Sequence, residues 1–298
     1  MRTERAFTLI ELLVVIAIIA LLLSIIVPSL NTAKEYATGA ACMSDQKAMG
    51  MGWQLYHGDN KGYLVGGSSY YSGTRGTPYR WVEQPLYKDT DNPEKNAVPP
   101  AAEVTLQYRL NGIRAGKLFS YIGSEKVYHC PNDKNIVKKT EPYATYRSYA
   151  ISGLMNSEDF ISRRAPGTIY DPIDAYRTVT MPNGTSKPLK VAVRFNDINS
   201  PGTRYVFVEE DTAAKQQTWN AGGFVLMADG NYWKWWDWPA FNHNDQSTLG
   251  FADGHAEKHR WEDPRTVKLM KGGTAAEPAT QANNPDIEWM NRGYMPVN

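Results

Sequence analysis

Residue types that bind metal ions are grouped near the C-terminal end of the chain, in the set His243, Asp245, Asp253 and His255. Glu209 or Glu210, after an apolar run, could join them from an adjacent strand. Zinc takes three or four such ligands in tetrahedral geometry, whereas calcium prefers oxygen atoms. The same residues also fit a hairpin in which Asp253 and Gly254 form the turn and His243 fixes a loop. We therefore expect a structural hairpin or a metal site drawn from His243, Asp253, His255 and Glu209.

The chain has two cysteines, Cys42 and Cys130. Two thiols are too few for a four-thiolate zinc site or a disulfide-rich scaffold. In an oxidising compartment such a pair usually forms a disulfide. Closing so long a loop would stabilise the fold by roughly 4–5 kcal/mol in the chain-entropy description. We expect a Cys42–Cys130 disulfide, with two buried free thiols as the alternative.

Four tryptophans lie close together in the run WKWWDWP, at Trp233, Trp235, Trp236 and Trp238. In an extended segment, alternation would send the first two rings to one face and the last two to the other. Exposed rings of this kind stack on sugars or are buried in subunit contacts. The run therefore indicates core packing, a subunit contact or a glycan-binding surface.

The charge balance and the missing enzyme motifs narrow the function classes. The formal net charge is +1, from 32 basic and 31 acidic residues, which argues against a protein that coats nucleic acid. An apolar fraction of 42% with 21% charged residues predicts a folded core. The sequence contains no phosphate-binding glycine loop, no G-x-S-x-G elbow and no H-E-x-x-H. We expect no enzymatic activity, no catalytic residue and no cofactor beyond a possible structural metal ion.

An apolar segment at residues 7–27 contains a single charge, Glu11. As a helix it would be about 31 Å long, the thickness of a bilayer core. A secretory signal peptide would have a shorter apolar region, and a plain signal anchor would leave Glu11 unexplained. An ionisable group in such a span costs a few kcal/mol and usually marks a function.

The run RAFTLIE, from Arg5 to Glu11, resembles the cleavage signal of type IV pilins and type II secretion pseudopilins. The resemblance implies cleavage between Ala6 and Phe7 by a prepilin peptidase, followed by N-methylation of Phe7. It also implies that Glu11 neutralises the Phe7 amine of a neighbouring subunit. Pro28 matches the proline that kinks or loosens the long pilin helix.

The resemblance extends into the rest of the chain. His243, followed nine residues later by Asp253 and Gly254, is similar to the H-X9-DG module of large prepilin-like proteins, as are blocks 42–64 and 127–133. The resemblance implies a structural subunit of a type IV pilus-like or type II secretion-like filament. Its precursor would lie in the bacterial inner membrane with the head in the periplasm, and the assembled filament would be periplasmic or at the cell surface.

The implied partners are further copies of the chain in a helical homopolymer, a prepilin peptidase, and an inner-membrane assembly platform with its ATPase motor. A membrane-anchored metal-dependent hydrolase and a surface glycan-binding module are the alternative functions.

Four parts are expected along the chain. Residues 1–6 are a leader, and residues 7–58 are a long helix whose first part, 7–27, lies in the membrane or the filament core. Residues 59–270 are the head, with the module at 243–254, and residues 271–298 are a linker and tail. The fold class is α+β, a long helix packed on an antiparallel sheet with long loops.

Local patterns place the elements of this fold. Strands are expected at 190–195, 204–209, 223–227, 247–252 and 255–261. Glycines 39, 50 and 52 should weaken the helix. Its buried stripe is predicted from three- and four-residue spacing at Leu30, Ala33, Ala37, Ala41, Ala48, Met51 and Leu55, with Ser44 counted between Ala41 and Ala48.

Overall fold

The structure, a computed structural model, describes residues 9–67, 80–87, 103–133, 146–156, 173–210, 223–227, 229–272 and 280–297. Its helices are α1 Leu9–Asp59, α2 Leu106–Ala115, α3 Phe119–Ile122, α4 Pro264–Gly272 and α5 Pro285–Tyr294. Its strands are β1 Tyr149–Ile151, β2 Ile173–Thr180, β3 Ser186–Val191, β4 Tyr205–Glu209, β5 Gln246–Phe251 and β6 Ala256–Arg260. The long apolar helix α1 packs against an antiparallel sheet, which confirms the expected α+β class.

The main sheet has the strand order β1-β4-β5-β6, and every pair in it is antiparallel. Its central register pairs Val208 with Leu249, and Leu249 with Glu257. The strands β2 and β3 form a separate antiparallel pair. Three of the expected strands, at 204–209, 247–252 and 255–261, correspond to β4, β5 and β6.

Two expected strands are wrong in extent. The strand expected at 190–195 ends at Val191, because Asp197 accepts hydrogen bonds from the amides of Val193 and Arg194 and turns the chain into a short 3-10 helix. The segment expected at 223–227 forms a single bridge, between Phe224 and Ser152.

The C-terminal half of α1 lies on the sheet through a face that differs from the predicted stripe. Met51 and Leu55 are 63% and 56% exposed, and Leu30 is 65% exposed. The buried residues of α1 are Gly39, Cys42, Gln46, Met49, Gly50, Gly52, Trp53 and Tyr56. The predicted stripe is therefore wrong.

The glycines explain this choice of face. A methyl group added at Gly50 would lie 3.4 Å from Cα of Gly254, and one added at Gly52 would lie 2.7 Å from Cγ1 of Ile122. The absence of side chains lets the helix approach the sheet and α3 closely. These glycines are contact positions, although by helix propensity alone they should weaken the helix.

Strand β5 and the turn after it follow α1. Gly250 packs against Gln46, whose Nε2 donates to the carbonyl oxygen of Thr248 at 2.7 Å and to its Oγ1 at 2.9 Å. Gly254, four residues further on, lies against Gly50 and Gln54. Successive positions of β5 and its turn therefore meet successive turns of the helix.

The C-terminal tail packs on the head. Helix α5 buries Ile287, Met290 and Tyr294 in the core that also holds Leu249. Its N-cap Asn284 accepts hydrogen bonds from two amides of the first turn. Tyr205 Oη donates to the Met290 carbonyl at 3.0 Å. The sheet thus lies between α1 on one face and the C-terminal helix on the other.

Candidate functional site

The first half of α1 is apolar and exposed. An 18-residue window has a mean hydropathy of 3.2, and none of that window is buried by the rest of the chain. This helix is long and apolar enough to cross a membrane, a property that signal sequences near an N-terminus share. Among the described residues of α1, burial begins at Gly39.

Glu11 and Pro28 both lie on this exposed half. Glu11 is in the first described turn of α1. Pro28 lies inside α1, which continues to Asp59. Because proline has no amide hydrogen, the carbonyl of residue 24 lacks its usual helical donor. Ala6 and Phe7 lie outside the described residues, so the cleavage and methylation site stays a prediction.

A second site lies where α1 enters the head. Cys42, Cys130, Glu209 and His243 each present one ligand atom, and these four atoms lie within 4.8 Å of one another. All four side chains are buried, and His243, the most accessible, is 3% exposed. The two sulfur atoms are 3.0 Å apart in free cysteines. Cys130 Sγ lies 3.6 Å from His243 Nε2, which is 3.2 Å from Glu209 Oε1.

Four separate segments position these side chains. Cys42 is on α1, Cys130 follows a 3-10 helix at Glu125–Tyr128, Glu209 ends β4, and His243 precedes β5. The backbone amide of Cys130 donates to Ser148 Oγ at 3.0 Å, which fixes its loop.

The carboxylate of Glu209 is held by donors on both oxygens. Oε1 accepts from Asn242 Nδ2 at 2.9 Å, and Oε2 accepts from the amide and the hydroxyl of Thr248 at 3.1 and 3.0 Å. These bonds are the compensation that a fully buried carboxylate requires.

The cluster is strongly coupled electrostatically. The hydrogen bond between the two cysteines lowers the pKa of Cys42 to about 6, and the same bond together with burial raises the pKa of Cys130. Burial opposes the charged form of His243, but contacts with Cys42 and Glu209 raise its pKa to about 10. Burial likewise opposes ionisation of Glu209, yet its bond to His243 leaves its pKa lowered. The close contact of these groups thus favours negative charge on Cys42 and Glu209 and positive charge on His243.

The expected metal ligands fall into two places. His243 and Glu209 belong to the buried cluster, together with the two cysteines. Asp253 and His255 form an exposed pair in the β5–β6 turn, with His255 Nδ1 2.5 Å from Asp253 Oδ1, and Asp245 pairs with Lys271.

The hairpin interpretation describes this turn correctly, since Gly254 has a φ of +93° there. The sequence analysis assigned the two cysteines to a disulfide and did not include them among the metal ligands. The structure places their sulfurs in contact, and the disulfide stays a prediction.

The tryptophan run does not alternate as an extended strand would. Trp235 and Trp238 are buried in the core, and Trp233 packs against that core. Trp236 is 38% exposed, with Lys234 Nζ 5.5 Å from its ring centroid. Core packing therefore accounts for most of this run.

Comparison with known proteins gives one family match. The model described as the prokaryotic N-terminal methylation motif matches residues 1–27. Neither the search of curated proteins nor that of solved structures gave a match. The motif implies processing by a prepilin peptidase and suggests a structural protein rather than a catalytic one. With this motif and its long apolar N-terminal helix, the chain fits a type IV pilin-like protein, made as a membrane-anchored precursor.

Proposed function

We propose that this protein is a structural subunit of a type IV pilus-like or type II secretion-like filament. After cleavage between Ala6 and Phe7, subunits leave the inner membrane and pack their apolar helices together. Glu11 neutralises the Phe7 amine of a neighbour, and the head stays on the periplasmic or outer side. The partners are other copies of the chain and the inner-membrane assembly machinery with its motor.

The exposed apolar half of α1 is the observation that carries this proposal. Its side chains make no core with the head, since none of the most apolar window is buried. Apolar surface of this extent is covered by lipid or by other protein. A bilayer covers it in the precursor, and neighbouring α1 helices cover it in a filament. In either setting Glu11 lies in apolar surroundings, where a nearby cation stabilises an ionised carboxylate, and in a filament the cleaved N-terminus of a neighbouring subunit supplies that cation.

The geometry does not favour the alternative functions. A hydrolase at His243 would need substrate access, but every ligand atom of its cluster belongs to a buried side chain. A glycan site on the tryptophan run would need exposed rings, and two of the four are in the core.

The test is to recover the protein from sheared cell-surface material and from the membrane fraction, and to read its N-terminus by mass spectrometry. We expect a chain that begins at N-methylated Phe7, in filaments visible by negative-stain electron microscopy. Glu11→Ala should abolish incorporation into filaments while cleavage continues. Glu35→Ala, on the same helix, is the matched control and should assemble. A full-length chain that keeps Met1 and remains in the membrane would contradict the proposal.

A further inference from the structure

The strongest feature beyond the exposed apolar half of α1 is the buried cluster of Cys42, Cys130, Glu209 and His243. We infer that these four side chains bind a single zinc ion, which fastens α1 to the head. The inference rests on the cluster itself and holds whether or not the chain forms filaments.

The distances match those around a tetrahedral zinc ion. With Zn–S bonds of about 2.3 Å and Zn–N or Zn–O bonds of about 2.0–2.2 Å, a sulfur and a nitrogen ligand lie about 3.6 Å apart. Cys130 Sγ and His243 Nε2 are 3.6 Å apart. A nitrogen and an oxygen ligand should be about 3.4 Å apart, and His243 Nε2 and Glu209 Oε1 are 3.2 Å apart. Of these three pairs, the sulfur atoms are the ones that must move apart, from 3.0 Å to about 3.8 Å, and all four ligand atoms lie within 4.8 Å of one another.

The chemistry of the donor set also fits zinc. Two thiolates and an imidazole suit a borderline-soft ion, whereas calcium and magnesium prefer sites made only of oxygen. Two thiolates, one carboxylate and one neutral imidazole carry a charge of −3, which zinc reduces to −1. Zinc binds two thiolates and a neutral imidazole, so binding displaces to solvent the protons that the cysteines and His243 carry without the metal.

Glu209 has the outer hydrogen bonds of a metal-binding carboxylate. Asn242 and Thr248 hold Glu209, and Thr248 is itself held by Gln46 of α1. Ligating carboxylates are usually oriented by such outer hydrogen bonds. All four ligands come from the protein and are buried, which leaves no open position for a substrate. The ion therefore has a structural role.

The position in the fold gives the ion its consequence. Gly39 is the first buried residue of α1 and Cys42 is the next, so the ion lies where the helix leaves the head. Three ligands belong to the head and one to the helix. Zinc would fix the direction in which the apolar half of α1 projects.

A disulfide is the competing state, because the same two sulfurs cannot form an S–S bond and bind zinc as thiolates. The disulfide needs the sulfurs to close from 3.0 Å to about 2.05 Å. The disulfide would leave the buried Glu209 and His243 with no metal ion to bind. The presence of these two groups is what favours the metal.

The experiment uses the full chain in detergent, purified with and without reductant. Elemental analysis of the desalted wild type should give about one zinc per chain. Added Co²⁺ should produce the intense visible absorption of a tetrahedral thiolate site. Cys42→Ser and His243→Ala should each weaken zinc binding at least roughly tenfold. Asp253→Asn and His255→Ala alter the exposed pair in the β5–β6 turn and should leave zinc binding unchanged.

Three results would overturn the inference: no zinc bound while alkylation shows both thiols free, a Cys42–Cys130 disulfide in protein isolated without reductant, or loss of zinc in the Asp253 and His255 variants. If Cys42→Ser or His243→Ala fails to fold, the inference is tested on the wild-type protein by alkylation of its cysteines. Zinc must then protect both cysteines from alkylation, and a chelator must remove that protection.

Discussion

The contact between Gly254 and α1 gives a sharp prediction about how the head holds the helix. Gly254 has a φ of +93°, and a methyl group there would lie 3.0 Å from Gln54 Nε2. Gly254→Ala should cost about 1–2 kcal/mol for the left-handed backbone, and about 1 kcal/mol more because the methyl group must displace the Gln54 side chain of α1. The total of about 2–3 kcal/mol should lower the unfolding temperature by several degrees, measured on the full chain in detergent.

A matched control separates the two costs. Gly184 has a φ of +80°, but nothing lies within 4 Å of a methyl group added there. Gly184→Ala should therefore lose only the backbone contribution of about 1–2 kcal/mol. Hydrogen exchange of α1 amides near Gly50 should quicken in Gly254→Ala and stay unchanged in Gly184→Ala. Equal destabilisation in the two variants, with equal hydrogen exchange in α1, would refute the close packing of Gly254 against α1.

Three further predictions concern the core and the tail. His259 is packed among aromatic rings, and burial lowers its pKa from 6.5 to about 4 against the opposing charge of Asp286. The unfolded chain binds a proton at His259 near pH 6.5, whereas the folded chain binds it only near pH 4. The free energy of unfolding is therefore unaffected by His259 above about pH 6.5, and it decreases as the pH falls from there to about 4. Allowing for the partial exposure of His259, the decrease in the free energy of unfolding is about 2 kcal/mol. The same decrease over this pH range in His259→Gln would contradict the prediction. Trp235→Ala should cost about 3–5 kcal/mol and the half-exposed Trp236→Ala less than about 1 kcal/mol, so a denaturation series that reverses this order would contradict the assignment of Trp235 to the core. Tyr205→Phe should cost about 1 kcal/mol, because it removes the hydrogen bond to the carbonyl of Met290, and proteolysis should release the tail more readily; unchanged cleavage would argue against docking.

The fold class and the long helix could be predicted because each depends on a local pattern. Twenty-one residues with one charge define the apolar half of α1, and short β-rich runs define β4, β5 and β6. The turn at Gly254 follows from its dipeptide with Asp253. None of these inferences needs knowledge of which distant residues meet.

The face of α1 that contacts the head could not be predicted in the same way. Counting apolar residues selects Met51 and Leu55, whereas the sheet selects Gly50 and Gln46. A glycine scores poorly for helix propensity, yet its missing side chain lets a backbone such as that of Gly254 come close. The buried face is therefore chosen by the partner surface, and a sequence pattern within the helix does not contain that surface.

The buried cluster shows a related limit. His243 and Glu209 were expected as metal ligands, but Asp253 and His255 were expected beside them because they are close in sequence. Strand β5 separates His243 from Asp253, so the two ends of the module cannot share one ion. A usable signal did exist, since three of the ligands lie in the three blocks that resemble prepilin-like proteins, 42–64, 127–133 and 242–254.

The spacing of the H-X9-DG module has a physical explanation in this fold. His243 lies beside Cys42 and Gly39, while Gly254 lies against Gly50. Strand β5 and its turn also contact α1 at Gln46 and Gln54. A one-residue insertion within β5 would reverse the faces of the strand on one side of it and send either His243 or Gly254 away from the helix. The module therefore sets the register of α1 against the sheet. At one end the His243 side chain lies beside Cys42, and at the other the backbone of Gly254 lies against Gly50.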